Sequence, residues 1–238
     1  MTYSIIARCP RTGNVGIAIA TYTLAVGQYC DGLLSQVGAT MSQASVRQVN
    51  NGIGLRLIAQ GLSADHVLQT LVVNDRFPSF RQIAVIDRHG QAACHTGTDA
   101  RDWKGHRVRP GLVAMGNVLL GPQVVDAMVD GFEARPSDHL EDRLLNALEL
   151  GRDAGGQSNG TRRMPERSAA LIVMSNQDYP KINLRVDLHD KAIDELRRVY
   201  DRYQLYADYY TRRDLEPSTV PGQEVFEESF GGQTFWRP

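Results

Sequence analysis

The chain opens with two short runs of β-prone alternation around a turn. Tyr3–Arg8 and Val15–Ala20 flank Pro10-Arg11-Thr12-Gly13-Asn14, and alternation on either side of Pro/Gly/Asn chemistry predicts a β-hairpin. The second run alternates small with branched residues, which predicts that another layer of the protein approaches it closely. A third strand is predicted over Val37–Gln43. The period then lengthens towards 3.6, predicting helices over Leu55–Gln60 and Ala64–Val73, with Asn50–Gly54 as a loop or lead-in and Ser63 as the cap of the second helix.

Alternation returns over Gln82–Asp87 and Gln91–Thr96, separated by Arg88-His89-Gly90, so a second hairpin is predicted, followed by a strand at Leu112–Gly116. Two more helices follow. Pro122–Glu133 has proline in its first turn, where a missing N–H costs little, and Ser137–Arg152 starts at Ser137 or Asp138. Gly155–Gly160 is the most flexible internal stretch by composition, and Thr161–Arg167 after it is basic. Ala169–Met174, apolar on both faces, predicts a central strand, and Ile182–Leu188 another.

A last helix, Lys191–Arg213, carries Leu196, Val199, Tyr203, Tyr206 and Tyr210 at spacings of three and four, an apolar stripe on a charged helix. Residues 1–215 thus read as one domain. Residues 216–238 read as an aromatic arm with Phe226, Phe230, Phe235 and Trp236, lying on its own domain or buried in a neighbouring subunit. A homo-oligomer is the expectation. Two helix pairs interleaved with antiparallel hairpins predict an α+β fold in which two sheets stack face to face with helices outside.

Composition narrows the partners. The 238 residues are 42% hydrophobic, and 26 Lys+Arg against 27 Asp+Glu leave a net charge of −1. That balance gives no electrostatic reason to expect nucleic acid or an anionic membrane. No apolar run reaches the ~18 residues of a membrane span, and the N-terminus lacks a basic, apolar leader, so a cytoplasmic protein is expected. Cys9, Cys30 and Cys94 are odd in number and widely spaced, which suits reduced thiols rather than a disulfide framework. No motif names a cofactor. His95, Asp99, Asp102 and His106 come nearest to metal-ligand spacing, but they lie in a stretch that reads as a Gly- and Arg-rich loop, so no metal is expected.

The start of the chain carries the most chemistry. Thr2 follows Met1 and leads directly into the first strand. Removal of the methionine would put a hydroxyl and a free α-amine on one residue, and the amine, with a pKa near ~8, can take the hydroxyl proton and return it. Ser4 is the second candidate, exposed by cleavage after Tyr3. A third possibility is an internal nucleophile, Cys94 or Ser42, assisted by His95.

Thr2-Tyr3-Ser4-Ile5-Ile6-Ala7-Arg8, Thr12–Ala20, Val37–Ala44, Arg81-Gln82, His95-Thr96-Gly97, Gly116–Pro122 and Ser168–Leu171 together resemble the DUF1028 family over about residues 2–200. The resemblance implies an Ntn-hydrolase-like fold, a four-layer αββα sandwich, with the family's own activity poorly defined. It departs from the family at Glu166-Arg167, where Arg-Gln is usual, and in a longer Gly155–Pro165 loop. If that loop rims a pocket, substrate preference differs from that of relatives.

The proteasome, the best-known Ntn enzyme, supports its threonine with a nearby lysine and aspartate. Here the first lysine is Lys104, and Asp31 is the only acid before Asp65. The remaining possibility is an acylase-like arrangement, with Gln43, Asn117 and the backbone near Ala44 as oxyanion donors. Arg81, Arg167 or Arg8 would hold a substrate carboxylate, and His95 would be a base. The reading is hydrolysis of a C–N amide-type bond in a small, anionic, non-peptide metabolite. The alternative is a catalytically silent binding or scaffold protein of the same fold.

Overall fold

The first hairpin anchors the larger of two antiparallel sheets. In the structure, a computed structural model that describes residues 1–30 and 32–230, β1 (Thr2–Arg8) pairs with β2 (Val15–Thr21), Thr2 opposite Thr21. On the other side β1 pairs with β8 (Leu112–Asn117), which pairs with β7 (Lys104–Arg109). β2 pairs with β11 (Ser168–Met174), and β11 with β12 (Pro180–Val186). The order is therefore β12-β11-β2-β1-β8-β7. The apolar run 169–174 is an interior strand, as its two apolar faces required.

The second sheet has the order β3-β4-β5-β6, from β3 (Leu33–Leu34), β4 (Gly38–Ala44), β5 (Arg81–Ile86) and β6 (Ala92–Thr96). Ile6, Ile17, Ile19, Val113 and Met115 of the larger sheet form one buried cluster with Met41, Ala84 and Ile86 of the smaller. On the outer side of the smaller sheet, α1 (Val49–Ala59) contacts β4 and α2 (Ala64–Val73) contacts β5 and β6. α3 (Gln123–Glu133) contacts β7 and β8, and α4 (Leu140–Asp153) contacts β1, β2 and β11. The small residues of β2 serve α4: a Cβ on Gly16 would stand 2.6 Å from Leu144.

Four expectations are corrected. Asn50–Gly54 lies inside α1. Thr40 Oγ1 donates to the Asn51 carbonyl at 2.8 Å, and a Cβ on Gly54 would meet Thr40 Cγ2 at 2.5 Å, so packing on β4 overrides the weak helix propensity. His106 lies on the edge strand β7 rather than in a loop. An edge strand pairs on one side only, so its polar sequence hides the alternation of Lys104, His106 and Val108 against Gly105, Arg107 and Arg109. The segment read as flexible, Gly155–Gly160, contains β9 (Gln157–Ser158), which pairs with β10 (Arg163–Met164) in the basic stretch after it, and Gln157 is fully buried. Finally, α4 begins at Leu140 behind His139.

The chain divides into units Met1–Arg197 and Arg198–Pro238, and α5 (Ala192–Leu215) begins in the first. Within the second unit, α6 (Gln223–Glu228) sets Phe226 on Tyr209 with ring centroids 4.2 Å apart, and Phe230 lies 5.9 Å from Tyr206. These two arm aromatics therefore cover tyrosines of α5; Phe235 and Trp236 lie outside the described residues. Among the described residues, no helix is long and apolar enough to cross a membrane.

Candidate functional site

Strand register sorts the inward face of the larger sheet into three rows. The first reads Ser168–Thr21–Thr2–Asn117–Lys104 and is polar throughout. The second reads Ala170–Ile19–Ser4–Met115–His106, and the third Ile172–Ile17–Ile6–Val113–Val108. Alternate residues on a strand share a face, so the space between the sheets is polar at one end and hydrocarbon at the other. The smaller sheet repeats the gradient, with Gln43–Gln82–Thr96, then Met41–Ala84–Cys94, then Ala39–Ile86–Ala92.

The polar rows meet in one hydrogen-bond network. Ser4 Oγ donates to Gln43 Oε1 at 2.7 Å, and Gln43 Nε2 donates to Gln82 Oε1 at 3.0 Å. Gln82 Oε1 also accepts from Asn117 Nδ2 at 3.0 Å. Gln82 Nε2 reaches the Gly116 and Gly105 carbonyls and Thr96 Oγ1 at 2.8, 3.2 and 3.1 Å. Thr96 Oγ1 lies 2.8 Å from His106 Nδ1. Burial, followed by the charges of Arg107 and His95, lowers the His106 pKa and favours the neutral ring.

Thr2 stands at the edge of this network, its Oγ1 3.1 Å from Thr21 Oγ1, and Thr21 donates in turn to the Met1 carbonyl. Burial and then the Arg101 charge lower the pKa of the Met1 α-amine. Lys104 shares the row with Thr2 two strands away, about 10 Å at the usual strand spacing, and its ammonium sits 2.9 Å from Asp102. The strands bearing Gln43 and Asn117 both end in left-handed residues, Ala44 at φ 68° and Val118 at φ 55°. Such backbone is strained for a side chain with a Cβ, most of all a branched one.

Thr2, Ser4, Gln43 and Asn117 therefore come together. Gln43 and Asn117, read as oxyanion donors, each direct an amide N–H to Gln82. The structure does not bring His95 to them: it shares the parity of Ala93 on the helix-facing side of β6, with Nε2 3.0 Å from the Pro78 carbonyl. Ser42 also faces the helices, accepting from the Arg47 amide. Cys94 faces inward beside Met115, and burial pushes its thiol well up, away from the nucleophilic thiolate. Arg81 pairs with Asp75 at 3.1 Å and Arg8 lies at the opposite end of β1, so neither faces Thr2. Arg167 remains close in the chain path, donating its backbone N–H to the Thr21 carbonyl and holding its guanidinium 4.9 Å from the Tyr22 ring.

Gln82, Thr21 and Gln157 escaped residue-type reasoning, which reached His106 only as a metal-ligand candidate. Strand parity identifies the first two, which share a face with Ala84 and Ile19. Gln157 Oε1 accepts the Tyr22 amide at 2.9 Å, while its buried Nε2 has no partner. It bridges to Leu119, so it lies between the ends of β2 and β8 that flank Thr2. Among the described residues no three His, Cys, Asp or Glu gather as a metal site.

Three comparisons bear on this arrangement. The crystal structure of protein SPO2555 from Silicibacter pomeroyi is 31% identical, with a TM-score of 0.76, over 87% of this chain and 92% of that one. Anbu (ancestral beta-subunit) from Yersinia bercovieri aligns over 92% of this chain and 98% of that one, at 9% identity and a TM-score of 0.37. No curated protein shows significant similarity. A family model described as a family of unknown function, DUF1028, matches residues 2–196, and the chain belongs to that family.

Proposed function

We propose that the protein is a cytoplasmic Ntn-hydrolase-like amidohydrolase, a four-layer αββα sandwich that uses Thr2 once Met1 has been removed. The observation that carries this reading is the polar row: Thr2 opens the first strand, with Thr21 and Asn117 on either side. The unpartnered Gln157 amide nitrogen lies just beyond.

In the reaction, Thr2 Oγ1 attacks the amide carbon while the α-amine takes the hydroxyl proton. The C–N bond then breaks, and the departing nitrogen receives that proton. Water, deprotonated by the same amine, attacks the resulting ester; the C–Oγ1 bond breaks, Oγ1 takes that proton back from the amine, and the carboxylate leaves. A lowering of the kind that burial and then Arg101 impose on the Met1 amine would, at a Thr2 amine, raise the share of the neutral base. Gln157 Nε2 is assigned as an oxyanion donor. Arg101 and Arg167 favour a small anionic metabolite.

The test joins intact mass to turnover. Untagged protein should lack Met1 and hydrolyse members of a small-amide panel, and Thr2→Ala should abolish turnover. Full activity in that variant, or an active protein that keeps Met1, would remove Thr2 from the role.

The alternative, a silent binding protein, draws on the closed network in which Ser4, Gln43, Gln82 and Asn117 satisfy one another. Saturable binding without turnover would select it. The reading also includes a homo-oligomer. A chain ending at Arg213 should elute from gel filtration in a smaller class, and an unchanged class counts against the arm as an interface.

A further inference from the structure

A cleft of about 290 Å³ lies at the end of the larger sheet opposite Thr2, where Arg8 closes β1. Three connections frame it: the β1–β2 turn, the β7–β8 turn and the link from α3 to α4. Each supplies a proline, Pro10, Pro110 and Pro136 in turn, whose fixed φ stiffens the frame before any ligand arrives.

The chemistry of the cleft centres on Arg143. That side chain projects from the first turn of α4 and is only 8% exposed. Its Nε donates to the Phe132 carbonyl at 3.1 Å, and its guanidinium lies 3.8 Å from the centre of the Phe132 ring. These contacts fix the plane of the fork. Among the described residues its two terminal nitrogens have no hydrogen bond or ion pair, and they open on the cleft instead of being sealed in the core. Glu133 and Asp138 are the nearby carboxylates, but both are exposed and neither reaches ion-pair distance. An arginine withdrawn from water without a counter-ion is costly, because it cannot shed its charge.

Two further guanidiniums line the same cleft. Arg11 gives one nitrogen to the Ser137 and Asp138 carbonyls. Arg8 makes no side-chain hydrogen bond or ion pair among the described residues. Against these three cations the lining sets one acid, Glu133. Burial acts to raise the neighbouring Cys9 thiol, yet the Thr12 and Arg11 donors around it bring it below its ordinary value, so this turn favours negative charge.

The arrangement of the cations selects the anion. A planar carboxylate offers two oxygens and is satisfied by one guanidinium fork, whereas a phosphate monoester offers three, spread over a tetrahedron. Three separate guanidiniums match the second. Leu112 and the proline rings leave an apolar wall for the rest of the molecule. We propose that this cleft binds a small phosphate monoester with an apolar body, its phosphate held by Arg8, Arg11 and Arg143. The site is separate from Thr2 and does not depend on any turnover there.

Titration calorimetry on the full chain at fixed ionic strength tests it with phenyl phosphate, inorganic phosphate and benzoate. Phenyl phosphate should bind saturably, and benzoate at least about tenfold more weakly, a difference of ~1.4 kcal/mol. Inorganic phosphate, which lacks the apolar body, should also bind more weakly than the ester. Arg143→Gln and Arg8→Ala should each weaken phenyl phosphate by about tenfold. Arg8 is partly exposed and its side chain holds no partner, so its variant decides the matter even if the Arg143 variant fails to fold. Absence of phenyl phosphate binding, equally tight binding of benzoate, or wild-type affinity in Arg8→Ala would each overturn the proposal.

Discussion

The two ends of the inward sheet face share one backbone register and carry opposite chemistry. At the hydrocarbon end, Ile6, Ile17, Val113 and Ile172 interlock with Ile86 and Ala39 across the gap, and any shape-preserving apolar set could fill the space. At the polar end, each of Gln43, Gln82 and Asn117 depends on a particular neighbour at a particular distance. A fold that needed only cohesion would extend the hydrocarbon rows to the strand ends. Placing a closed polar network beside Thr2 instead trades tolerance for positional definition.

Substitutions at the two ends should break differently. Gln82→Ala strands amide groups of Gln43 and Asn117 and two backbone carbonyls inside the protein, and should lower unfolding free energy in urea by about 4 kcal/mol. A loss below ~1 kcal/mol would mean that the network is no more particular than its hydrocarbon counterpart. Ile17→Ala, at the other end, should cost about 3 kcal/mol through its cavity and leave any Thr2-dependent turnover largely intact.

His106 sharpens the contrast through pH. Its folded pKa lies below the unfolded value of about 6.5, so the unfolded chain takes up the proton first as pH falls. The stability contributed by the neutral ring is complete above that value and declines as pH drops from there towards the folded pKa. Denaturation midpoints should follow this slope in the native protein and flatten in His106→Gln. The smallest effect belongs to Ala44→Gly. Relief of a left-handed φ, offset by a more flexible unfolded chain, should raise stability by about 0.5 kcal/mol, read from the thermal midpoint.

Much of this was legible from alternation alone. The hairpins at 3–20 and 82–96, the interior strand at 169–174 and the two helix pairs follow from local pattern, and Thr2 is visible as a hydroxyl at a strand start. β7 was not legible, because an edge strand need not bury both faces and its charges mask the period. The depth of Gln157 was hidden for a related reason: glycine-rich flanks suggest mobility, whereas the Tyr22 amide and the Leu119 bridge that fix it come from distant positions. His95 was attractive by residue type, yet one step of strand parity turns it to the helices while Thr96 faces the network.

The sheet order also bears on synthesis. Residues 2–21 occupy the middle of the six-stranded sheet, yet their flanking partners are residues 112–117 and 168–174. A chain emerging from the ribosome therefore carries a hairpin whose β1 edge stays open until about half of its length has been made, and whose β2 edge stays open until about three quarters. Closure at such sequence separation is slow, and unpaired edges invite association with other nascent chains. Slower translation ahead of codon 168 should accordingly lower soluble yield, because it lengthens the time for which those edges stay uncovered.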